Sequence, residues 1–104
     1  MEIRIIDDSL EKFIINLQKA TAAKVLRTID LLEKFGQKLG MPHTKKISTH
    51  LFELRISGKQ EVRIFYGFYK SQIFLLHGFV KKSQKIPKKE IKTALQKIKL
   101  LDTI

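Results

Sequence analysis

Three consecutive segments in the second half of the chain constrain its fold more than any other feature. In LFELRIS, residues 51–57, Phe52, Leu54 and Ile56 alternate with Glu53, Arg55 and Ser57. A period of two places the first set on one face of a strand and the second on the other. EVRIFYGFY, residues 61–69, alternates again: Val62, Ile64, Tyr66 and Phe68 on one side, Arg63, Phe65, Gly67 and Tyr69 on the other. QIFLLHGFV, residues 72–80, is apolar at nearly every position, the pattern of a strand covered on both faces. The connections, Ser57-Gly58-Lys59 and Lys70-Ser71, are short, so the three strands form an antiparallel meander.

The rest of the chain reads as one strand and three helices. EIRII, residues 2–6, alternates loosely and predicts a short first strand. Asp7, Asp8 and Ser9 carry side-chain oxygens able to accept the free N–H groups of a helix start, and Leu10, Phe13, Ile14 and Leu17 follow at helical spacing. A second helix is expected over about 20–35, with Ala22, Val25, Leu26, Ile29, Leu32 and Phe35 on one face and Gly36, Gly40 and Pro42 ending it. Pro87 suits the start of a final helix, whose stripe of Ile91, Ala94, Leu95, Ile98 and Leu101 can dock on the sheet. The expected fold is α+β: an N-terminal strand and helical hairpin packed on an antiparallel sheet, with a C-terminal helix. At 104 residues this is a single domain, 1–104, with one modest core.

Charge is the informative part of the composition. Twenty-one Lys and Arg against ten Asp and Glu give a formal +11. Residues 1–52 contribute +3 and residues 53–104 contribute +8. Such asymmetry points to an anionic partner, nucleic acid among them. There is no cysteine, which excludes disulfides and thiolate metal sites. No apolar run reaches the roughly 18–20 residues of a membrane helix, and the charged N-terminus lacks a signal-peptide layout, so a cytoplasmic protein without membrane contact is expected.

Parity puts Arg55 and Arg63 on one face of the sheet together with Glu53. Two arginines on adjacent strands can clamp a phosphate with their guanidinium forks. They can equally cover a polar face, with Glu53 and Glu61 as ion-pair partners. The lysine run after the third meander strand, Lys81, Lys82, Lys85, Lys88 and Lys89, is tethered between two packed elements. Glu90 is the only acid among its eight lysines between 81 and 100. Holding that many like charges together is unfavourable unless an anion relieves it. His43, His50 and His77 have no metal-ligand spacing, and His77 reads as a core imidazole. The serines lack any nucleophile signature and no Gly-rich phosphate loop occurs.

The string LFELRISGKQEVRIFY (51–66) followed by IFLLHGFVKKSQKIPKKEI (73–91) resembles the RelE/HigB toxin superfamily, in particular its phage-derived branch. The resemblance covers about the last half of the chain. It implies the toxin of a type II toxin–antitoxin system. Such toxins are commonly ribosome-dependent mRNA endonucleases that use no metal and no cofactor: the 2′-hydroxyl attacks the neighbouring phosphate, leaving a 2′,3′-cyclic phosphate and a 5′-hydroxyl. Carried over by position, Arg63 stabilises the scissile phosphate and Arg55 contacts the RNA backbone. Lys81 and Lys82 form the basic pair after the strand, Lys82 being grouped with the two arginines as catalytic. Lys85, Lys88 and Lys89 add RNA contacts. The implied partners are mRNA, the ribosome with its rRNA, and a cognate antitoxin containing a helix-turn-helix. Tyr66 matches the family's strand tyrosine, but its parity with Val62 and Ile64 gives it a core role. The Tyr or His that better-studied nucleases carry near the C-terminus is absent after residue 77, which leaves the acid and base open among Lys82, Glu53 and His50. Two alternatives remain, a toxin directed at DNA gyrase and a non-catalytic nucleic-acid-binding phage remnant.

Overall fold

A computed structural model describes residues 1–102; the last two residues of the expected domain lie outside it. The elements run β1 (Glu2–Ile5), α1 (Asp8–Ile15), α2 (Lys19–Phe35), a short 3-10 turn (Gly36–Lys38), β2 (Thr44–Lys46), β3 (Phe52–Ile56), β4 (Val62–Tyr69), β5 (Gln72–Val80) and α3 (Lys88–Leu101). The sheet order is β1-β5-β4-β3-β2. The β2–β3, β3–β4 and β4–β5 pairs are antiparallel, while β1 lies parallel to β5 at the edge. The expected α+β architecture is therefore present, with the meander at its centre.

The alternation of the meander divides the sheet into two covered faces. Leu54, Ile56, Val62, Ile64, Tyr66, Ile73 and Leu75 pack with Leu10 and Ile14 of α1 and Val25 and Leu32 of α2. On the other face Phe65, Phe74, Leu76 and Phe79 pack with Ala94 and Leu101 of α3, with Ile91 and Ile98 partly buried beside them. Each fully buried Val, Leu or Ile among them contributes about 1.5–3 kcal/mol from its removal from water. At Gly78 α1 presses close on the sheet. A Cβ there would lie 2.8 Å from two ring carbons of Phe13 and 3.0 Å from Leu10 Cδ1. Gly78→Val should therefore overpack the α1 contact and lower stability by about 1–3 kcal/mol in urea denaturation.

Three details differ from the sequence reading. The edge strand β2 falls in TKK, a polar triplet with no alternation to announce it. Leu26 and Phe35 lie at the margins of the apolar face of α2 and are 55% and 46% exposed, so the true stripe is narrower. The third is a β-bulge. Phe65 pairs with His77 and Tyr66 with Leu75, leaving Leu76 as an extra residue in β5. The bulge resets the alternation, so that Phe79 comes opposite Arg63 instead of continuing the parity of Ile73 and Leu75.

Helix ends tie the layers together. Asp7 caps α1 by accepting from the Leu10 N–H at 3.1 Å, and its other oxygen lies 2.9 Å from Lys97 Nζ on α3. Burial raises the Asp7 carboxyl, but the bonds from Lys97 and Leu10 outweigh it and hold the group below its ordinary value of 3.8. A carboxyl depressed in the folded state stabilises fully above its unfolded pKa and loses that contribution as pH falls through the lower folded value. Asn caps as well as Asp, so Asp7→Asn should cost only the Lys97 pair, about 0.2–1 kcal/mol at pH 7. That difference should shrink towards zero as the pH drops below 3.8 in parallel acid-unfolding curves.

Candidate nucleic-acid interface

The bulge in β5 sets up the site. Past it, Phe79 stands beside Arg63, and the Lys81 N–H donates to the Glu61 carbonyl at 2.7 Å. The β5 pairing thus continues one step beyond the strand. The chain then turns through Ser83, whose hydroxyl donates to the Lys85 carbonyl at 2.8 Å, before Pro87 opens α3. A cleft of about 480 Å³ results, lined by Glu61, Arg63, Lys81, Lys82, Ser83 and Gln84. Three of the expected site residues, Arg63, Lys81 and Lys82, meet there.

Arg63 forms the floor and is only 3% exposed. Its Nη1 donates to the Val62 carbonyl at 3.0 Å and its Nη2 to Glu61 Oε1 at 3.3 Å, while Nε lies 3.4 Å from Glu53 Oε1. Arg55, directly opposite Arg63 in the β3–β4 register, shares that same carboxylate oxygen at 3.4 Å. The row runs Glu61, Arg63, Glu53, Arg55, alternating in sign along one sheet face. Of the two roles open to the arginines, the ion-paired one is occupied in this structure. Burying such a pair is costly unless both charges are compensated, and Glu53, at 2% exposure, is what compensates the arginines from inside.

Arg55 opens in a different direction. It borders a second cleft, of about 390 Å³, together with Lys24, Arg27 and His43, and its Nη1 lies 3.9 Å from Met41 Sδ. Lys85, Lys88 and Lys89 are exposed on the loop and on the first turn of α3, outside the cleft. Cations there oppose the helix dipole, a small penalty left standing at the rim. Tyr66 is 2% exposed in the helix-covered core. Burial pushes its phenol above 10, and the bond with Thr44 offsets only part of that rise. His77, carried by the bulge to the α3 side, is half-buried with Nε2 3.3 Å from Glu90 Oε1.

Sequence reasoning did not single out Glu61 as a cleft residue. Burial raises its carboxyl, yet bonds from the Gly58 N–H, the Ser57 hydroxyl and Arg63, together with the charge of Arg63, hold it below its ordinary 4.5. It is therefore ionised at neutral pH beside the lysines. Parity with Arg63 was the available signal, since residues 61 and 63 share a face. Lys24 and Arg27 were also missed, because only the fold brings α2 to the end of β3.

No helix among the described residues is long and apolar enough to cross a membrane. No curated protein matches the chain. The family model for phage-derived protein Gp49-like (DUF891) matches residues 12–99, a span running from α1 through the meander and the basic cleft into α3. This family is related to the RelE/HigB toxin superfamily, and its membership is compatible with a toxin that has a cognate antitoxin. The chain, matched over most of its length, belongs to the Gp49-like phage-derived family.

Proposed function

We propose that the protein is the toxin of a type II toxin–antitoxin pair and acts as a ribosome-dependent mRNA endonuclease. The observation that carries this reading is the cleft in which Lys81, Lys82 and Arg63 converge with room for a phosphate. Arg63 lies at the floor of the cleft, where the charge of its guanidinium acts on an anion held by the two lysines. Lys82 and Arg63 neutralise charge as the 2′-hydroxyl attacks the scissile phosphate, the type of preorganised electrostatic stabilisation that lowers such barriers. Arg55 extends the positive face towards the second cleft. Lys81, Lys85, Lys88 and Lys89 follow the RNA backbone over the rim and, with the excess charge, draw the protein to rRNA. The antitoxin, expected to carry a helix-turn-helix, neutralises the toxin by covering this face.

A second reading is favoured by the pairing of both arginines with Glu53 and Glu61: a nucleic-acid-binding protein that does no chemistry. Brief induction in bacterial cells separates the two. The nuclease predicts growth arrest with fragmented mRNA and normally supercoiled DNA. Arrest with intact mRNA and altered supercoiling would point to gyrase, and growth without arrest to the non-catalytic protein.

A further inference from the structure

We infer that Glu61 is the general base of this cleft, an assignment that rests on the endonuclease reading. Proton transfer from a 2′-hydroxyl needs a basic atom that is unprotonated, fixed in place and open to substrate. Among the residues lining the cleft, Glu61 is the one carboxylate. Its Oε1 accepts from the Ser57 hydroxyl at 3.1 Å and from Arg63 at 3.3 Å, and its Oε2 accepts from the Gly58 N–H at 3.3 Å. These donors hold the group from the sheet side, yet its side chain is 43% exposed. Glu53 meets the first two requirements but is sealed, its side chain being 3% exposed. His50 is exposed but lies away from the cleft. It stands against Gly67, four residues along β4 from Arg63 and therefore about 13 Å away.

A carboxylate is a poor neighbour for a phosphate. A cleft serving binding alone would hold RNA more tightly without it, because the Glu61 charge repels the backbone and offsets one of the three cations. Besides its ion pair with Arg63, Glu61 remains open on the cleft side and so can take part in chemistry. Glu61 Oε2 takes the proton of the 2′-hydroxyl as that oxygen bonds to phosphorus. The bond from phosphorus to the 5′ oxygen breaks, and the departing oxygen takes a proton from the Lys82 ammonium. The products are a 2′,3′-cyclic phosphate and a 5′-hydroxyl. Glu61 is left protonated and Lys82 neutral, and both reset by exchange with water. Arg63 acts in this scheme as a positioning residue for Glu61 as well as a charge at the floor.

The test uses the full-length protein with ribosomes programmed by a defined mRNA, reading cleavage and RNA affinity separately. Glu61→Gln keeps the acceptor for Ser57 and Arg63 but abolishes the base. It should lose about 10²–10⁴-fold in cleavage rate, with RNA affinity unchanged or higher. The melting temperature should fall, because the amide cannot accept from the Gly58 N–H and removes one counter-charge from Arg63, but the protein should stay folded at the assay temperature. Glu61→Asp, which keeps a carboxylate, should recover part of the rate. The wild-type rate should fall as the pH drops through the Glu61 titration, whereas the residual rate of Glu61→Gln should stay flat there. If Glu61→Gln cleaves within about threefold of wild type, or loses affinity in parallel with rate, the base assignment is overturned and the endonuclease reading stands. Wild type that does not cleave overturns both.

Discussion

Glu53→Ala is expected to lose about 3–5 kcal/mol of folding free energy, the usual result of removing one partner from a buried ion pair. The carboxylate sits between two arginines and is itself sealed from water. Without it, Arg63 keeps only Glu61 as a counter-charge while remaining 4% exposed. Against a total stability of about 5–15 kcal/mol for a domain of this size, the loss leaves the fold marginal. Urea denaturation at pH 7 measures it directly. A double change, Glu53→Leu with Arg63→Met, removes both charges and should restore much of the lost stability, since packed apolar side chains often replace a buried pair without cost. If Glu53→Ala loses less than about 1 kcal/mol, the pair behaves as a surface contact, and the buried row of alternating charge does not organise this face.

Lys81→Ala with Lys82→Ala carries the second large effect, and this one is functional. Lys82 is exposed and Lys81 half-buried at the rim, and neither side chain packs into the core, so each change should alter stability by no more than about 0.5 kcal/mol. Cleavage should fall by about 10²–10³-fold, the range seen when a preorganised stabilising group is removed from a site of charge development. The same variant reports on RNA binding. Each lost phosphate contact reduces the salt slope for a single strand by about 0.7, so two contacts should flatten it by about 1.4. Affinity measured between 50 and 200 mM salt gives that slope. Loss of cleavage with an unchanged slope would place the lysines away from the RNA.

The alternation of β3 and β4 carried much of this architecture in plain view. It sorted Phe52, Leu54, Ile56, Val62 and Ile64 to one face and Arg55 and Arg63 to the other, as the register shows. Most of the C-terminal stripe and of the helical hairpin was legible too, because a core-facing helix repeats its apolar residues at fixed spacing, although Leu95, like Leu26 and Phe35, falls outside the buried face. Alternation tells which side a residue takes, not how deep it lies. Arg63 was therefore assigned to the correct face without any sign that it would be buried between two carboxylates. The bulge at Leu76 was invisible for a related reason. An apolar run has no pattern to break, so nothing in FLLHGF signals that the parity changes. That change puts Phe79, and past it Lys81, beside Arg63 and Glu61. The parallel β1–β5 pair was hidden too, since it joins segments some seventy residues apart in sequence.

Mapping of 5′-hydroxyl RNA ends after brief induction decides whether the protein cleaves mRNA, with wild type beside the Lys81→Ala, Lys82→Ala variant. A nuclease should produce new 5′-hydroxyl ends within translated regions of many mRNAs, appearing within minutes in wild type and lost in the variant. Growth arrest without such ends, or ends equally abundant in the variant, would contradict the nuclease reading.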